Sequence, residues 1–186
     1  AISYIVTGVV WRWLLNPGSG QRGSTGFNLL FEKLGLDFLK NGWYTDPNIG
    51  IKAVVIAATW QLSGYVMAMY LAGLRGIPED LREAARVDGA NEVQIYRHII
   101  IPLLQPITLG AVIILGHMSL KIFDLVVSMT GPGPGFSSDV PAFFMWDTTF
   151  RRNNFAQGAG IATILLTVVA VLIVPYLIYS TRTEAE

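Results

Sequence analysis

The sequence has no cysteine and few charged residues, and both shortages limit what the protein can be. Without cysteine, disulfides, thiolate catalysis and cysteine-based metal sites are excluded from these 186 residues. Only 14% of the residues are charged, against about 25% in ordinary soluble domains. The net charge of zero gives no electrostatic basis for binding nucleic acid. The two histidines, His98 and His117, are too few for a histidine-rich site, so no metal site is predicted.

Apolar residues make up 52% of the sequence and gather in long uncharged runs. About 20 apolar residues at 1.5 Å per residue cross a hydrocarbon core of about 30 Å. Three runs are long enough for this, at residues 53–74, 99–120 and 153–181. Buried helices of a large soluble protein would need far more polar sequence to cover them. The sequence therefore predicts an all-α membrane protein.

The opening run, AISYIVTGVVWRWLL, is apolar but does not have the pattern of a secretory signal. It lacks a basic region before its apolar core and small residues at a cleavage site after it. The Trp11-Arg12-Trp13 group is typical of a membrane–water boundary, where indoles anchor and arginine snorkels. We expect this run to be the end of a transmembrane helix whose beginning is not in the sequence.

Polar segments separate the runs. Residues 27–34 predict a short amphipathic helix with Leu30, Phe31 and Leu34 on one face. Alternating proline and glycine in TGPGPGFSSDVP, residues 130–141, exclude a regular helix. The AFFMWDTTF stretch that follows predicts a short interfacial helix with its aromatic rings at headgroup level.

One segment, GIPEDLREAARVDG, concentrates charge between two oily runs. Pro78 suits the first turn of a helix, and acidic residues after it suit the positive end of the helix dipole. Gly89 suits the left-handed position that ends a helix. Charged pairs at i,i+3 spacing can support this helix in water. The pairs are Glu79 with Arg82 and Glu83 with Arg86.

A second helix is predicted directly after Gly89. Asn91 and Gln94 have the spacing of a capping box that opens it. Pro102 and Pro106 then allow a bend as this helix enters the next apolar run. On the first helix, Ala84 and Ala85 offer a small face ringed by charge, which suits close approach of a partner. A solvated linker helix between two spans explains the same residues, and the pattern alone leaves both interpretations open.

Ionisable or polar residues within the runs are candidates for a transport pathway, because such residues usually face a cavity or a partner. His117, Lys121 and Asp124 follow at i, i+4 and i+7, which places them on one face of one helix. Lys121 and Asp124 could equally pair with each other or lie at the outer interface. Trp60, Gln61 and Tyr65 offer ring, amide and hydroxyl groups suited to a sugar. Hydrogen bonding between helices and aromatic packing explain that second group as well.

The segment EAARVDGANEVQIYRHIIIP resembles the EAA loop of ABC importer permease subunits. Glu83-Ala84-Ala85, Gly89, Ile99 and Ile101-Pro102 occupy the positions of that pattern, with Ile101 in place of leucine. The surroundings are similar to sugar permeases of the maltose and glycerol-phosphate type. FDLVVSMTGPGP resembles another segment of that branch, with Pro132 replacing a glycine, and later residues are similar to glucose/mannose-type permeases. The likeness extends over residues 11–179.

The resemblance implies a polytopic transmembrane helix bundle of the type I ABC importer permease kind. Residues 1–186 would form one partial permease domain, lacking one or more N-terminal spans, and residues 75–98 its cytoplasmic EAA coupling loop. The implied location is the bacterial or archaeal cell inner membrane, in multi-pass form. Glu83, Ala84, Ala85, Asp88 and Gly89 would dock on a cytoplasmic ABC ATPase dimer.

The same resemblance implies a sugar substrate, a second permease subunit and an extracytoplasmic solute-binding protein. No G-x-x-x-x-G-K-[ST] occurs in the sequence, so ATP and Mg²⁺ are expected on the partner ATPase, with no catalytic residue or cofactor on this chain. Import of a non-sugar solute remains an alternative. A channel would not need the EAA spacing. An intramembrane hydrolase would need H-E-x-x-H, G-x-S-x-G or a dyad, which the spans lack.

Overall fold

The computed structural model describes residues 3–18 and 23–183, which are mainly helical. They form two compact units. Unit 1 contains the described residues of Ala1–Gln61 and His117–Glu186, and unit 2 is Leu62–Gly116.

The helices follow the apolar and polar segments of the sequence closely. In chain order they are α1 Tyr4–Leu14, α2 Gly26–Lys33, α3 Gly50–Arg75, α4 Glu79–Val87, α5 Glu92–Leu103, α6 Gln105–Leu120, α7 Asp124–Met129, α8 Pro141–Trp146 and α9 Phe155–Thr183. Short 3₁₀ turns occupy Asp37–Leu39, Trp43–Thr45 and Pro134–Phe136. One π turn, Tyr96–Ile100, lies within α5, and another, Asp147–Arg151, follows α8.

Two of the described helices, α3 and α9, are long and apolar enough to cross a membrane. They confirm the spans predicted at residues 53–74 and 153–181. The run at 99–120 is not one straight helix, because α5 and α6 meet at a bend of 57° and count as a third span only if taken together. The break at Leu104 lies between Pro102 and Pro106, which lack the backbone N–H that a continuous helix needs. The predicted bend is confirmed.

The core of unit 1 forms around α7, whose Leu125, Val126 and Met129 are fully buried. They pack with residues of α3, α8 and the end of α1, including Ala57 and Phe143. A Cβ on Gly8 of α1 would collide with Ser128 Oγ of α7, so a glycine is needed for these two helices to approach closely. Burial of one such large apolar side chain contributes about 1.5–3 kcal/mol.

The two short helices predicted in unit 1 are both present, and the structure shows how they pack. The short helix near residue 27 forms as α2, but Leu30 and Leu34 are exposed, whereas Phe27 packs against the core and Asn28 is buried. The side of α2 with Phe27 and Asn28 faces inward, because the Asn28 amide forms hydrogen bonds with Asn41 and Trp43 of the same loop. Residues 130–141 are irregular as predicted. The predicted short helix after residue 141 forms as α8, and its Phe143 is buried in the core against Phe123 and Trp146.

The core of unit 2 lies under the charged loop. Ile95, Ile100 and Leu104 are buried, and partly buried apolar side chains from α3, α4 and α6 surround them. The Tyr70 hydroxyl donates to Thr108 Oγ1 at 2.8 Å, which ties α3 to α6. This core gives α4 and α5 a fixed base.

Candidate functional site

The charged loop is built from α4 and the start of α5, and each of its ends is fixed by a local signal. Pro78 is the N-cap and α4 begins at Glu79, one residue later than predicted. Gly89 has a φ of 84°, which confirms the left-handed end of the helix. The Ala90 N–H donates to the Ala85 carbonyl at 2.9 Å across this turn.

The predicted capping box is also present at the start of α5. The Gln94 N–H donates to Asn91 Oδ1 at 2.9 Å, and the Asn91 N–H donates to Gln94 Oε1 at 2.8 Å. Two backbone donors that the helix start leaves unpaired are thereby satisfied. The turn between α4 and α5 is therefore specified by its own residues.

The ion pairs of the loop differ in part from the predicted ones. Glu79 pairs with Arg82 as expected, with Oε2 and Nη1 3.9 Å apart. Arg86 does not pair with Glu83. Its Nε lies 3.0 Å from Glu92 Oε1, which links α4 to α5, and its Nη1 is 3.8 Å from Glu79 Oε1. Glu83 is exposed and has no ion pair within residues 3–18 and 23–183.

The five residues of the predicted docking element are not equally accessible. Glu83, Ala84, Asp88 and Gly89 are exposed, whereas Ala85 packs against the core of unit 2. The two alanines therefore face different surroundings, and only Ala84 offers a small outer surface. Asp88 and Gly89 also line a shallow depression of about 360 Å³ with Gln94 and His98.

The three ionisable pathway candidates come together, but not as one helix face. Helix α6 ends at Leu120, and Asp124 begins α7, so the prediction that His117, Lys121 and Asp124 share one helix is wrong. The sequence pattern could not show that α6 ends at Leu120, because the packing of α7 in the core determines where α6 ends. All three still line one cavity of about 220 Å³, together with Tyr4 of α1. Neither Lys121 nor Asp124 has an ion-pair partner within 4.0 Å in the part of the chain that the structure describes.

His117 and Lys121 also line a second, apolar cavity of about 420 Å³. Its other walls come from Phe123, from Trp146 and from one face of α9. Among the described residues, His117 Nδ1 is shielded from solvent and has no hydrogen-bond partner. A shielded ring nitrogen and an ammonium between two cavities can bind a hydroxyl-bearing solute by hydrogen bonds.

The other pathway candidates lie elsewhere and line neither cavity. Gln61 Oε1 accepts a hydrogen bond from Thr7 Oγ1 at 2.5 Å, as the interhelix alternative predicts. The Trp60 ring meets the Trp11 ring edge-on with centroids 6.1 Å apart. Tyr65 belongs to unit 2 and is about half exposed.

Sequence reasoning missed a cluster of charge after α8. Asp147 is buried, and its carboxylate accepts hydrogen bonds from Arg151 Nη1 at 3.1 Å and from Arg152 Nε at 2.8 Å. The i,i+4 spacing of Asp147 and Arg151 was the available signal. Burial raises the pKa of Asp139, and the nearby negative charge of Asp147 raises it further, against opposing effects of the Val140 N–H and of Arg152.

The sequence and the fold both have clear relatives. A family model described as "Binding-protein-dependent transport system inner membrane component" matches residues 1–180. The chain is 48% identical over 184 residues to a probable ABC transporter permease protein of Pyrococcus horikoshii, covering 99% of this chain and 61% of that protein. It is 38% identical over 180 residues to a xylose/arabinose import permease protein of Haloferax volcanii, covering 96% and 55%. The chain thus spans less than two thirds of the length of these relatives.

The fold is similar to that of a solved bacterial ABC transporter involved in the import of the acidic polysaccharide alginate. The TM-score is 0.80 at 22% sequence identity, over 97% of this chain and 61% of that chain. At this identity the likeness concerns the fold alone.

Proposed function

Since the chain belongs to the family of binding-protein-dependent transport system inner membrane components, we propose that it is the part of a sugar importer that couples ATP use to the membrane pathway. Family membership confirms the predicted ABC importer permease component, which is not an enzyme, and its helical membrane fold. The sugar, the partners and the roles of individual residues belong to the proposal.

The outer surface of α4 carries the docking proposal. Glu83 is exposed without an ion partner on the described chain, and Ala84 beside it leaves room for a partner's backbone. Glu83, Ala84, Asp88 and Gly89 would contact the ATPase, and Ala85 would hold α4 on the core of unit 2. An exposed carboxylate without an ion partner can bind a partner protein. Because both ends of α4 are fixed, movement of that partner would move the whole helix.

ATP and Mg²⁺ would be bound by that separate cytoplasmic ATPase dimer, since the sequence has no phosphate-binding loop. Closure of the dimer would move α4, and with it the helices that share the core of unit 2. The pathway would then alternate between two states whose balance ATP binding and hydrolysis shift. A partial chain on its own would not transport.

His117, Lys121 and Asp124 would contact the solute, because all three line one cavity and His117 Nδ1 has no hydrogen-bond partner among the described residues. Gln61 has its Thr7 contact, so we assign Trp60 and Gln61 a lesser role, with Tyr65 as a further candidate. The sugar assignment is supported by the name of the xylose/arabinose relative. Import of a non-sugar solute is the alternative.

The complete importer would contain a second permease subunit and an extracytoplasmic solute-binding protein, in multi-pass form in the inner membrane of a bacterium or archaeon. The family description supports the binding protein and the inner membrane. The two long apolar helices and the bent pair support several crossings.

Docking is tested by co-purification of the ATPase with the permease. Glu83→Lys should reduce the retained ATPase at least about tenfold, because a reversed charge faces a partner built for a carboxylate. The matched control is Asp37→Lys, which reverses the charge of an exposed carboxylate between α2 and α3, outside the charged loop of α4 and α5. Unchanged retention and transport by Glu83→Lys would remove the docking assignment.

The substrate is tested by ATP hydrolysis of the reconstituted complex with its binding protein over a panel of sugars and non-sugar solutes. Stimulation by a sugar supports the proposal, and stimulation by a non-sugar solute alone supports the alternative. His117→Ala should then raise the sugar concentration needed for half-maximal stimulation, while Thr163→Ala, on α9 outside both cavities, should not.

A further inference from the structure

Residues 23–49, which precede α3, fold into a loop with its own internal contacts. Asn28 holds its interior, because its Nδ2 donates to the Asn41 carbonyl at 2.8 Å and its Oδ1 accepts from Trp43 Nε1 at 2.8 Å. On the surface, Lys40 Nζ lies 2.9 Å from Glu32 Oε2 and 3.0 Å from Asp37 Oδ1. The loop is therefore held by hydrogen bonds and ion pairs.

Three large apolar side chains of this loop point away from that interior. Leu30, Leu34 and Phe38 are 48%, 61% and 79% exposed. Leu30 of α2 and Leu34, its C-cap residue, lie on one side of the helix because they are four residues apart, and Phe38 follows in the next turn. We call these three residues the apolar loop face. A cluster of such residues in water marks a surface that another phase or molecule covers.

The start of α2 fixes where this face lies. Gly26 has a φ of 56°, and a Cβ there would collide with the Leu14 carbonyl, so α2 begins directly against the end of α1. The Phe27 ring also meets the Trp11 ring at 6.2 Å between centroids. This end of α1 carries Arg12 and the exposed Trp13, which are typical of a membrane–water boundary.

We propose that the apolar loop face inserts into the lipid headgroup region at the end of α1 and anchors this loop to the bilayer. We choose lipid as the occupant because α2 begins directly against the end of α1, where Arg12 and Trp13 are typical of the membrane–water boundary. Lys33 in the last turn of α2 is exposed and has no ion pair within the described residues, so it can meet a lipid phosphate. This anchor depends on membrane location alone and is independent of the docking and sugar proposals.

These 186 residues contain no cysteine, so single cysteines introduced here can be labelled in a transporter whose other parts carry no reactive cysteine. Leu30→Cys, Leu34→Cys and Phe38→Cys would each carry a nitroxide label in the transporter reconstituted in phosphatidylcholine–phosphatidylglycerol vesicles. Collisions with apolar oxygen and with a water-soluble nickel chelate are then measured by electron paramagnetic resonance. Asp37→Cys is the matched control, because Asp37 adjoins Phe38 but belongs to the ion-paired side.

We expect the ratio of oxygen to nickel accessibility to be at least about fivefold higher at the three apolar positions than at Asp37, as for a face buried in the headgroup boundary. Strong nickel accessibility at all positions would place the face in water and overturn the proposal. Low accessibility to both reagents, with an immobilised spectrum, would mean that a protein such as a solute-binding protein covers the face, which would overturn it as well. Three positions guard against one label that disturbs the loop.

Discussion

The charged loop of unit 2 and the α7 region of unit 1 hold functional candidates in opposite ways. In the loop, Glu83 and Ala84 face outward, and Gly89 and the Asn91 capping box fix the backbone locally. Around α7, the backbone is held by buried residues from separate helices, and His117 reaches Asp124 only through a shared cavity. The proposed docking surface is thus fixed by local signals, whereas the proposed pathway residues are brought together by packing between helices.

The largest effect expected from this comparison is on core packing. Leu125→Ala should lower the free energy of unfolding by about 2–5 kcal/mol, because Leu125 is fully buried. Val87→Ala, at a residue 87% exposed on α4, should change it by less than about 0.5 kcal/mol. Denaturant unfolding in detergent measures both, and equal losses would end the distinction between the two regions.

A smaller effect is expected at the end of α4. Gly89→Ala should cost about 1–2 kcal/mol, because an L side chain is strained at a φ of 84° although no neighbour would clash. Gly64→Ala, in the interior of α3 with open space around it, should be neutral or stabilising. The melting temperature and the amount of ATPase that co-purifies should both fall for Gly89→Ala but not for Gly64→Ala. A Gly89→Ala protein identical to the parent would show that the turn geometry is not needed.

The capping box provides a third test of local rigidity. Asn91→Ala should cost about 1 kcal/mol and increase amide hydrogen exchange at the start of α5, because the Gln94 N–H loses its acceptor. Asn91→Asp keeps a capping oxygen and should retain protection. If exchange at α5 is the same in all three proteins, packing rather than the cap holds this turn.

The smallest effect concerns Asp139 near the buried Asp147. Because burial raises the pKa of Asp139 in the fold, its charged form costs stability above that pKa, and the cost disappears as the pH falls through it. Asp139→Asn should therefore raise the melting temperature by about 1–3 °C at pH 7. The gain should shrink as the pH falls and vanish below about pH 3, where the carboxyl is protonated in both the folded and the unfolded state. A gain that does not change with pH would point to packing rather than charge.

Local rules predicted the structure well where one or two neighbouring residues decide it. The spans at α3 and α9, the left-handed Gly89, the capping box and the proline-linked bend were all readable from the sequence. The end of α6 at Leu120 was not, because no breaker residue marks it and the burial of Leu125 and Val126 decides the new direction.

Side-chain partners were harder to predict than backbone geometry. Arg86 pairs with Glu92 across the turn rather than with Glu83 in its own helix, and Ala85 turns inward beside an exposed Ala84. Both outcomes depend on how α4 packs on the core of unit 2. The spacing of residues along a helix does not predict that packing. Asp147 illustrates the same limit, since its burial depends on the packing after α8.

The central claim is that α4 lies in the cytoplasm and is gripped there by an ATPase, and thiol labelling tests it directly. In inside-out membrane vesicles, Ala84→Cys should react with a membrane-impermeant maleimide when the ATPase has been stripped, and should be protected when it is restored. Ala85→Cys, which packs against its own core, should react poorly in both cases. Labelling of Ala84→Cys only from the opposite side of the membrane, or equal labelling with and without the ATPase, would contradict the account.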